Sequence, residues 1–185
     1  AEMFAADFDP ADAIANAWAA VKRAAENSNA LHLLEHLVLL LEPGRSIIAD
    51  AGILLTSVRN IKHRPIGSGT SSLPSATADH WLLTDAGFNL TLSMVTYQWY
   101  YHLISASRAG EVSGRDYKVA GPLCDSGDVY FDIEREGRLP DYRRLPDDVL
   151  PGEVLALLNC GAYSLAQMFH YNGRPLPAAV LIGLD

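Results

Sequence analysis

Cys124 is a thiol in a polar turn, and it is the first residue here that could do chemistry. It stands in GPLCDSGD, residues 121–128, where Gly121, Pro122, Ser126 and Gly127 make a turn and Asp125 and Asp128 make it acidic. A free cysteine usually packs as a small buried hydrophobe. Two readings therefore stand: an inert cysteine that caps a core, or a working thiol. A second candidate is Glu42-Pro43-Gly44-Arg45. A carboxylate, a glycine that permits close approach to the backbone, and an arginine suit a ligand carrying both a basic nitrogen and a phosphate. An exposed turn would read the same way. His32-Leu33-Leu34-Glu35-His36 has the H-x-x-E-H spacing of a zinc peptidase. That chemistry needs both histidines on one helical face and a further ligand. The apolar run that follows favours a plain approach to a strand, and no metal is expected. The aromatic run Tyr97 to Tyr101 reads as core or interface, with one tyrosine able to reach a ligand. Gly161-Ala162-Tyr163-Ser164 is not a nucleophile elbow, because no glycine follows the serine at the required spacing.

The elements that must position these residues fall into two textures. Asp9-Pro10 reads as a helix start, and Ile14, Trp18, Val21 and Ala25 recur at helical spacing. Leu37 to Leu41 is continuously apolar, as in a strand buried on both faces. From about residue 47 the pattern changes. IIADAGILLTSVRNIKHR reads as a long strand with a glycine kink, and TADHWLLTDAG, RDYKVAG, DVYFDIERE and GEVLALLN as shorter ones. MVTYQWYYHLI is ambiguous, IGSGTSSLPSA (66–76) reads as a flexible loop, and EREGRLPDYRRLPDD as a solvated one. The expected fold is mainly β. A helix–strand unit over 1–46, of the kind repeated in a β/α barrel, precedes an antiparallel, barrel-like β domain over 47–185. One such unit cannot bury its own strand, so the first 46 residues look like the end of something larger.

Composition excludes several partners. The 185 residues are 49% hydrophobic and 19% charged, enough to form a core. A net charge of -8 argues against nucleic acid or an anionic membrane. No apolar run approaches the ~18 residues of a membrane-spanning helix. Two cysteines, Cys124 and Cys160, are too few for a disulfide scaffold, and a reducing, cytoplasmic setting is expected.

Four segments, LLLEPGRSIIADAGILLTSVRNIK, TDAGFN, VAGPLCDSGD and NCGAYSLAQMFHYNGRPLP, occur in an order that resembles one family. They are similar to the C-terminal part of the fold-type III pyridoxal-phosphate decarboxylases, the ornithine, diaminopimelate and arginine group. The resemblance covers nearly the whole chain from about Leu39. It implies that an alanine-racemase-like barrel carries pyridoxal 5'-phosphate and that a Greek-key or barrel-like β domain completes the site. It also implies active sites formed between two subunits of a dimer, and an amino acid as substrate.

Residue by residue, Glu42 resembles the carboxylate that faces the pyridine nitrogen. Gly44 and Arg45 resemble phosphate-side ligands, with Arg45 also near the substrate. Tyr163 resembles the tyrosine that touches cofactor phosphate and substrate, and Tyr97 a substrate-side tyrosine. Cys124 resembles the proton donor to the substrate α-carbon, reaching across the subunit interface. Asp125 resembles the acid that reads the substrate's distal group. Two positions depart from the family. Ser93 stands where diaminopimelate enzymes carry an arginine, and Gln98 where ornithine enzymes carry an aspartate. The lysine that holds the cofactor has no counterpart among Lys22, Lys62 and Lys118. The expectation is the C-terminal half of a decarboxylase, assembled with a lysine-bearing barrel chain or segment. The alternative is a non-catalytic relative that binds or regulates such an enzyme.

Overall fold

The structure is a computed structural model that describes residues 9–65, 78–134 and 136–183. The loop expected at 66–76 lies outside them. The chain divides into two compact units between Ile47 and Ile48.

In the first unit, helix α1 runs Pro10–Asn27. Asp9 caps it, its carboxylate accepting the Ala11 N–H at 2.7 Å, and Pro10 takes a position where its missing N–H is not needed. Among the described residues none buries any residue of α1: Ile14 and Val21 of its apolar stripe are exposed, and Trp18 and Ala25 are half-buried. A 3-10 turn over Leu31–Leu34 follows. His32 lies in that turn and His36 beyond it, so the two do not share an α-helical face. Among the described residues no cluster of three or more metal-ligating side chains exists. The expected strand at Leu37–Leu41 does not form: the segment makes no β-ladder, and its side chains are 51% to 85% exposed. A strand is held by hydrogen bonds to a neighbour, and the described residues offer it none.

The second unit is a six-stranded sheet in the order β3-β6-β1-β2-β4-β5. Its strands are β1 (Leu54–Pro65), β2 (Ala78–Thr84), β3 (Leu103–Ser105), β4 (Arg115–Ala120), β5 (Arg143–Leu145) and β6 (Val154–Leu157). β1 serves two ladders. Leu54–Ser57 pairs with β6, and after a bulge at Val58/Asn60 the rest pairs with β2. The bulge lets one strand turn from one ladder to the other. All pairings are antiparallel except β2 with β4, which is parallel. The end strands β3 and β5 approach each other, so the sheet is nearly closed on itself. Its interior holds Val58, Leu82, Tyr101, Tyr117, Val119, Leu145, Leu155 and Leu157.

Three expectations are corrected, and one open reading is settled. The long strand begins at Leu54, not near 47, because Arg45–Ile47 and Ala49–Ala51 are 3-10 turns. Among the described residues, DVYFDIERE makes a single bridge, Val129 to Ala120. The Asp132 carboxylate pulls the chain into a turn by accepting the Glu134 and Arg138 amides. The ambiguous MVTYQWYYHLI splits into a short helix α2 (Leu92–Thr96) and, further on, β3. EREGRLPDYRRLPDD is not simply solvated: Leu139, Arg143 and Leu145 are buried, the last two on the inner face of β5. Arg143 tolerates burial because Nη2 donates to the Tyr130 carbonyl at 2.7 Å and its guanidinium lies 4.7 Å from the Tyr100 ring. Burial lowers its pKa to about 10, which leaves it a cation at neutral pH. No helix among the described residues is long and apolar enough to cross a membrane.

Candidate active site

Two of the matched segments meet around one buried carboxylate. Asp128 is 3% exposed. Its Oδ1 accepts the Phe88 N–H at 2.8 Å and its Oδ2 the Leu123 N–H at 2.7 Å. Its backbone accepts the Gly121 N–H at 2.9 Å. So TDAGFN and GPLCDSGD are held together by the last residue of the second. Gly87 and Gly121 are glycines for a steric reason. A Cβ at Gly87 would come within 2.8 Å of the carboxylate oxygens, and one at Gly121 would collide with them. Burial raises the Asp128 pKa above the ordinary carboxylate range, although both amides pull it down. The TDAG end is itself anchored: Asp85 accepts Thr56 Oγ1 and the Ser57 N–H, each at 2.8 Å, and Tyr130 donates to the Ala86 carbonyl at 2.9 Å.

On this platform the turn presents Cys124 and Asp125 to solvent, while Cys160 is buried. The Asp125 carboxylate is not free. It accepts the Gly127 N–H at 2.7 Å and the Tyr171 hydroxyl at 2.9 Å. That bond raises the Tyr171 pKa. A cleft of about 730 Å³ opens beside the turn, lined among others by Arg59, Asp85, Leu123 and Arg174.

Tyr97 and Tyr163, far apart in sequence, are joined through Trp99. The Tyr97 and Trp99 rings are 5.0 Å apart, and Trp99 meets Tyr163 edge-on at 4.9 Å. Tyr163 is 38% exposed and sits at φ 58°, an unusual conformation for a bulky residue. What holds it there is Gly161, where a Cβ would strike the Ile48 carbonyl, and whose N–H donates to the Ala49 carbonyl at 2.8 Å. Ser93, fully buried, braces the same turn: its Oγ donates to the Tyr163 carbonyl at 3.3 Å and also pairs with the Tyr101 hydroxyl.

Glu42, Gly44 and Arg45 lie in the first unit, Glu42 and Gly44 exposed and Arg45 half-buried in a 3-10 turn. Among the described residues none comes within 4 Å of where a Gly44 Cβ would be. Of the three lysines, Lys118 is held: its Nζ is 3.5 Å from Asp79 and within 5.6 Å of the Trp81, Phe131 and Tyr142 ring centres. Lys22 lies on α1 over Trp18, and Lys62 is in β1.

Residues 5–161 match a family model described as pyridoxal-dependent decarboxylase, C-terminal sheet domain. The chain belongs to this family. It is 36% identical over 162 residues to the diaminopimelate decarboxylase of Escherichia coli K12, covering 85% of this chain and 35% of the relative. Against the diaminopimelate decarboxylase of Methanocaldococcus jannaschii the identity is 35% over 173 residues, covering 94% and 32%. A crystal structure of diaminopimelate decarboxylase superposes with a TM-score of 0.67 at 32% identity, over 94% of this chain and 38% of that one. The chain thus spans about a third of the length of these relatives.

The family implies pyridoxal phosphate, and the residues present fit part of its site. Within the first unit, a carboxylate at Glu42 suits a protonated ring nitrogen, and an exposed backbone at Gly44 with a guanidinium at Arg45 suits a phosphate; within the second, Tyr163 offers an exposed phenol. Four residues of consequence were not singled out from sequence: Asp128, Trp99, Tyr171 and Asn172. For Asp128 a signal existed, since an aspartate closing a glycine-rich turn is a common backbone anchor.

Proposed function

We propose that this chain supplies the β-domain share of the active site of a pyridoxal-phosphate-dependent amino-acid decarboxylase. The rest of the site, including the lysine, comes from a barrel, joined to this chain or separate. The observation that carries the proposal is the Cys124 turn. A solvent-exposed thiol is fixed on a buried carboxylate that two family motifs share, and an inert cysteine needs no such mounting.

When bound, pyridoxal phosphate supplies the electron sink that accepts the pair of electrons left as carbon dioxide departs. The chain's own residues do the following. Glu42 would hold the ring-nitrogen side and favour its protonated form by opposite charge. Gly44, Arg45 and Tyr163 would hold the phosphate side, and Arg45, Tyr97 and Tyr163 would line the substrate. Trp99 keeps Tyr163 aimed. Cys124 holds a proton on Sγ and delivers it to the substrate α-carbon, so that an amine leaves. Asp125 reads the distal group of the substrate. Because the thiol projects from the β domain, a dimer in which it enters the neighbouring site is part of the proposal.

The relatives named above are diaminopimelate decarboxylases, and the proposal for this chain is a different side chain. Position 93 is a buried serine committed to Tyr101 and Tyr163. It offers no cation to a distal carboxylate, so an amino acid with an uncharged or modified side chain suits better. The test combines the chain with a lysine-bearing barrel of the family and measures carbon dioxide from carboxyl-labelled amino acids. Release that requires both components is the expected result. Release from the barrel component alone at the same rate would overturn it.

A further inference from the structure

Three of four consecutive residues near the C-terminus bond to the turn that carries Cys124. Tyr171 donates its hydroxyl to Asp125 Oδ2 at 2.9 Å. Asn172 Oδ1 accepts the backbone N–H of Cys124 itself at 2.8 Å. Arg174 Nη2 donates to the Pro122 carbonyl at 3.1 Å. The partners run in the opposite order along the turn, Asp125, Cys124, Pro122, as expected of a segment laid antiparallel over it.

The segment is fixed at both ends. Phe169 exchanges hydrogen bonds with Asn89: its N–H donates to the Asn89 carbonyl at 3.1 Å, and Asn89 Nδ2 donates to its carbonyl at 3.3 Å. The Phe88 ring lies 5.2 Å from Tyr171 and 6.2 Å from Phe169. At the other end, Asn172 and Gly173 take φ values of 52° and 69°, and the Arg174 N–H closes on the Tyr171 carbonyl at 3.1 Å. Asparagine is among the few side chains that adopt this conformation readily, which aims its amide oxygen at the Cys124 N–H.

We infer that residues 169–174 form a strap that positions Cys124 and Asp125, with Asn172 setting the thiol-bearing backbone and Tyr171 orienting the Asp125 carboxylate. Asp128 grips the turn from within the domain, and the strap grips it from the solvent side. Tyr171 also occupies one oxygen of Asp125 and Gly127 the other, so what Asp125 can offer a distal group is decided by the strap. Tyr171 is therefore a specificity-determining residue and Asn172 a positioning residue. The inference deepens the proposed function and rests on Cys124 and Asp125 belonging to the site.

The test uses Asn172→Gly, which keeps the left-handed backbone but removes the amide, and Tyr171→Phe, which removes only the hydroxyl. The first readout is independent of turnover: the rate at which a maleimide alkylates Cys124, with Cys160 buried and slow. Asn172→Gly is expected to change that rate about three- to tenfold, the factor that follows from losing one hydrogen bond of ordinary strength. Tyr171→Phe is expected to change it less. The second readout is the ratio of kcat/KM values for two amino acids differing in their distal group, in the enzyme assembled with its barrel. Tyr171→Phe should shift this ratio at least threefold. An unchanged alkylation rate in Asn172→Gly together with an unchanged substrate ratio in Tyr171→Phe overturns the strap. If alkylation changes but the amine formed per carbon dioxide does not, the strap stands and the proton-donor role of Cys124 falls.

Discussion

Replacing Asp128 by asparagine keeps the size of the side chain and removes one acceptor. In the native protein two carboxylate oxygens each take a backbone N–H, from Phe88 at 2.8 Å and Leu123 at 2.7 Å. Asparagine has one oxygen and one NH2, so one of those donors must face another donor. Losing a charge-assisted bond costs about 1.5–3 kcal/mol. Part of this is returned, because the native charge is itself penalised by burial, as its raised pKa shows. The net expectation is a loss of about 1–2 kcal/mol, and alanine, which removes both acceptors, should lose about 2–5 kcal/mol. Denaturant unfolding reads the loss, and hydrogen exchange locates it at the amides of Phe88 and Leu123. The pH dependence carries a sign. A carboxyl whose folded pKa is raised contributes stability that is fully present below its unfolded value, about 3.9, and lost as pH rises through the folded value. The asparagine variant lacks that decline, so its deficit relative to wild type should narrow on going from acid towards neutral pH. A variant as stable as wild type at every pH, with both amides still protected, would refute the role given to Asp128.

Other consequences are open to direct measurement. Trp99→Ala removes an edge-on ring contact worth about 0.5–1.5 kcal/mol from Tyr163, so the assembled enzyme should bind pyridoxal phosphate about two- to tenfold more weakly; unchanged affinity would remove Trp99 from the site. Arg143 is a buried cation whose Nε and Nη1 have no hydrogen-bond partner among the described residues. Arg143→Met should therefore leave thermal stability unchanged or raise it, and a loss above about 2 kcal/mol would contradict this. Diaminopimelate should be turned over less efficiently than an amino acid with an uncharged distal group. The kcat/KM gap expected is about tenfold to a hundredfold, from the roughly 1.5–3 kcal/mol of an absent charge-assisted pair. Equal efficiency would show that another cation replaces the one missing at Ser93.

Elements with a strong local signature were legible. The Asp9-Pro10 helix start and the cores of β1, β2, β4 and β6 lie where periodicity and turn residues put them. What failed depends on distant partners. Leu37–Leu41 has the composition of a buried strand, but composition cannot supply the neighbour that would make it one. β5 was read as a solvated loop because Arg143 and Arg144 look exposed, and only the Tyr130 carbonyl and the Tyr100 ring make Arg143 an interior residue. For the proposed site, the order of motifs singled out Glu42, Gly44, Arg45, Tyr97, Cys124, Asp125 and Tyr163, and the structure leaves all of these exposed except Arg45, which is half-buried. The residues that hold them were harder to see, because Asp128, Trp99, Tyr171 and Asn172 each make at least one contact across 40 or more positions of sequence, although Asp128 also has a local one to Leu123 and Trp99 one to Tyr97.

The thiol in the acidic turn admits one decisive measurement. Cys124→Ala, in the enzyme assembled with its barrel and loaded with pyridoxal phosphate, is followed for amine formed and carbon dioxide released in the same reaction. With the proton donor removed, cofactor binding should be unchanged, turnover should slow, and less than one amine should appear per carbon dioxide. Equal amounts of amine and carbon dioxide at the wild-type rate would show that Cys124 only packs, and that protonation of the α-carbon is done elsewhere.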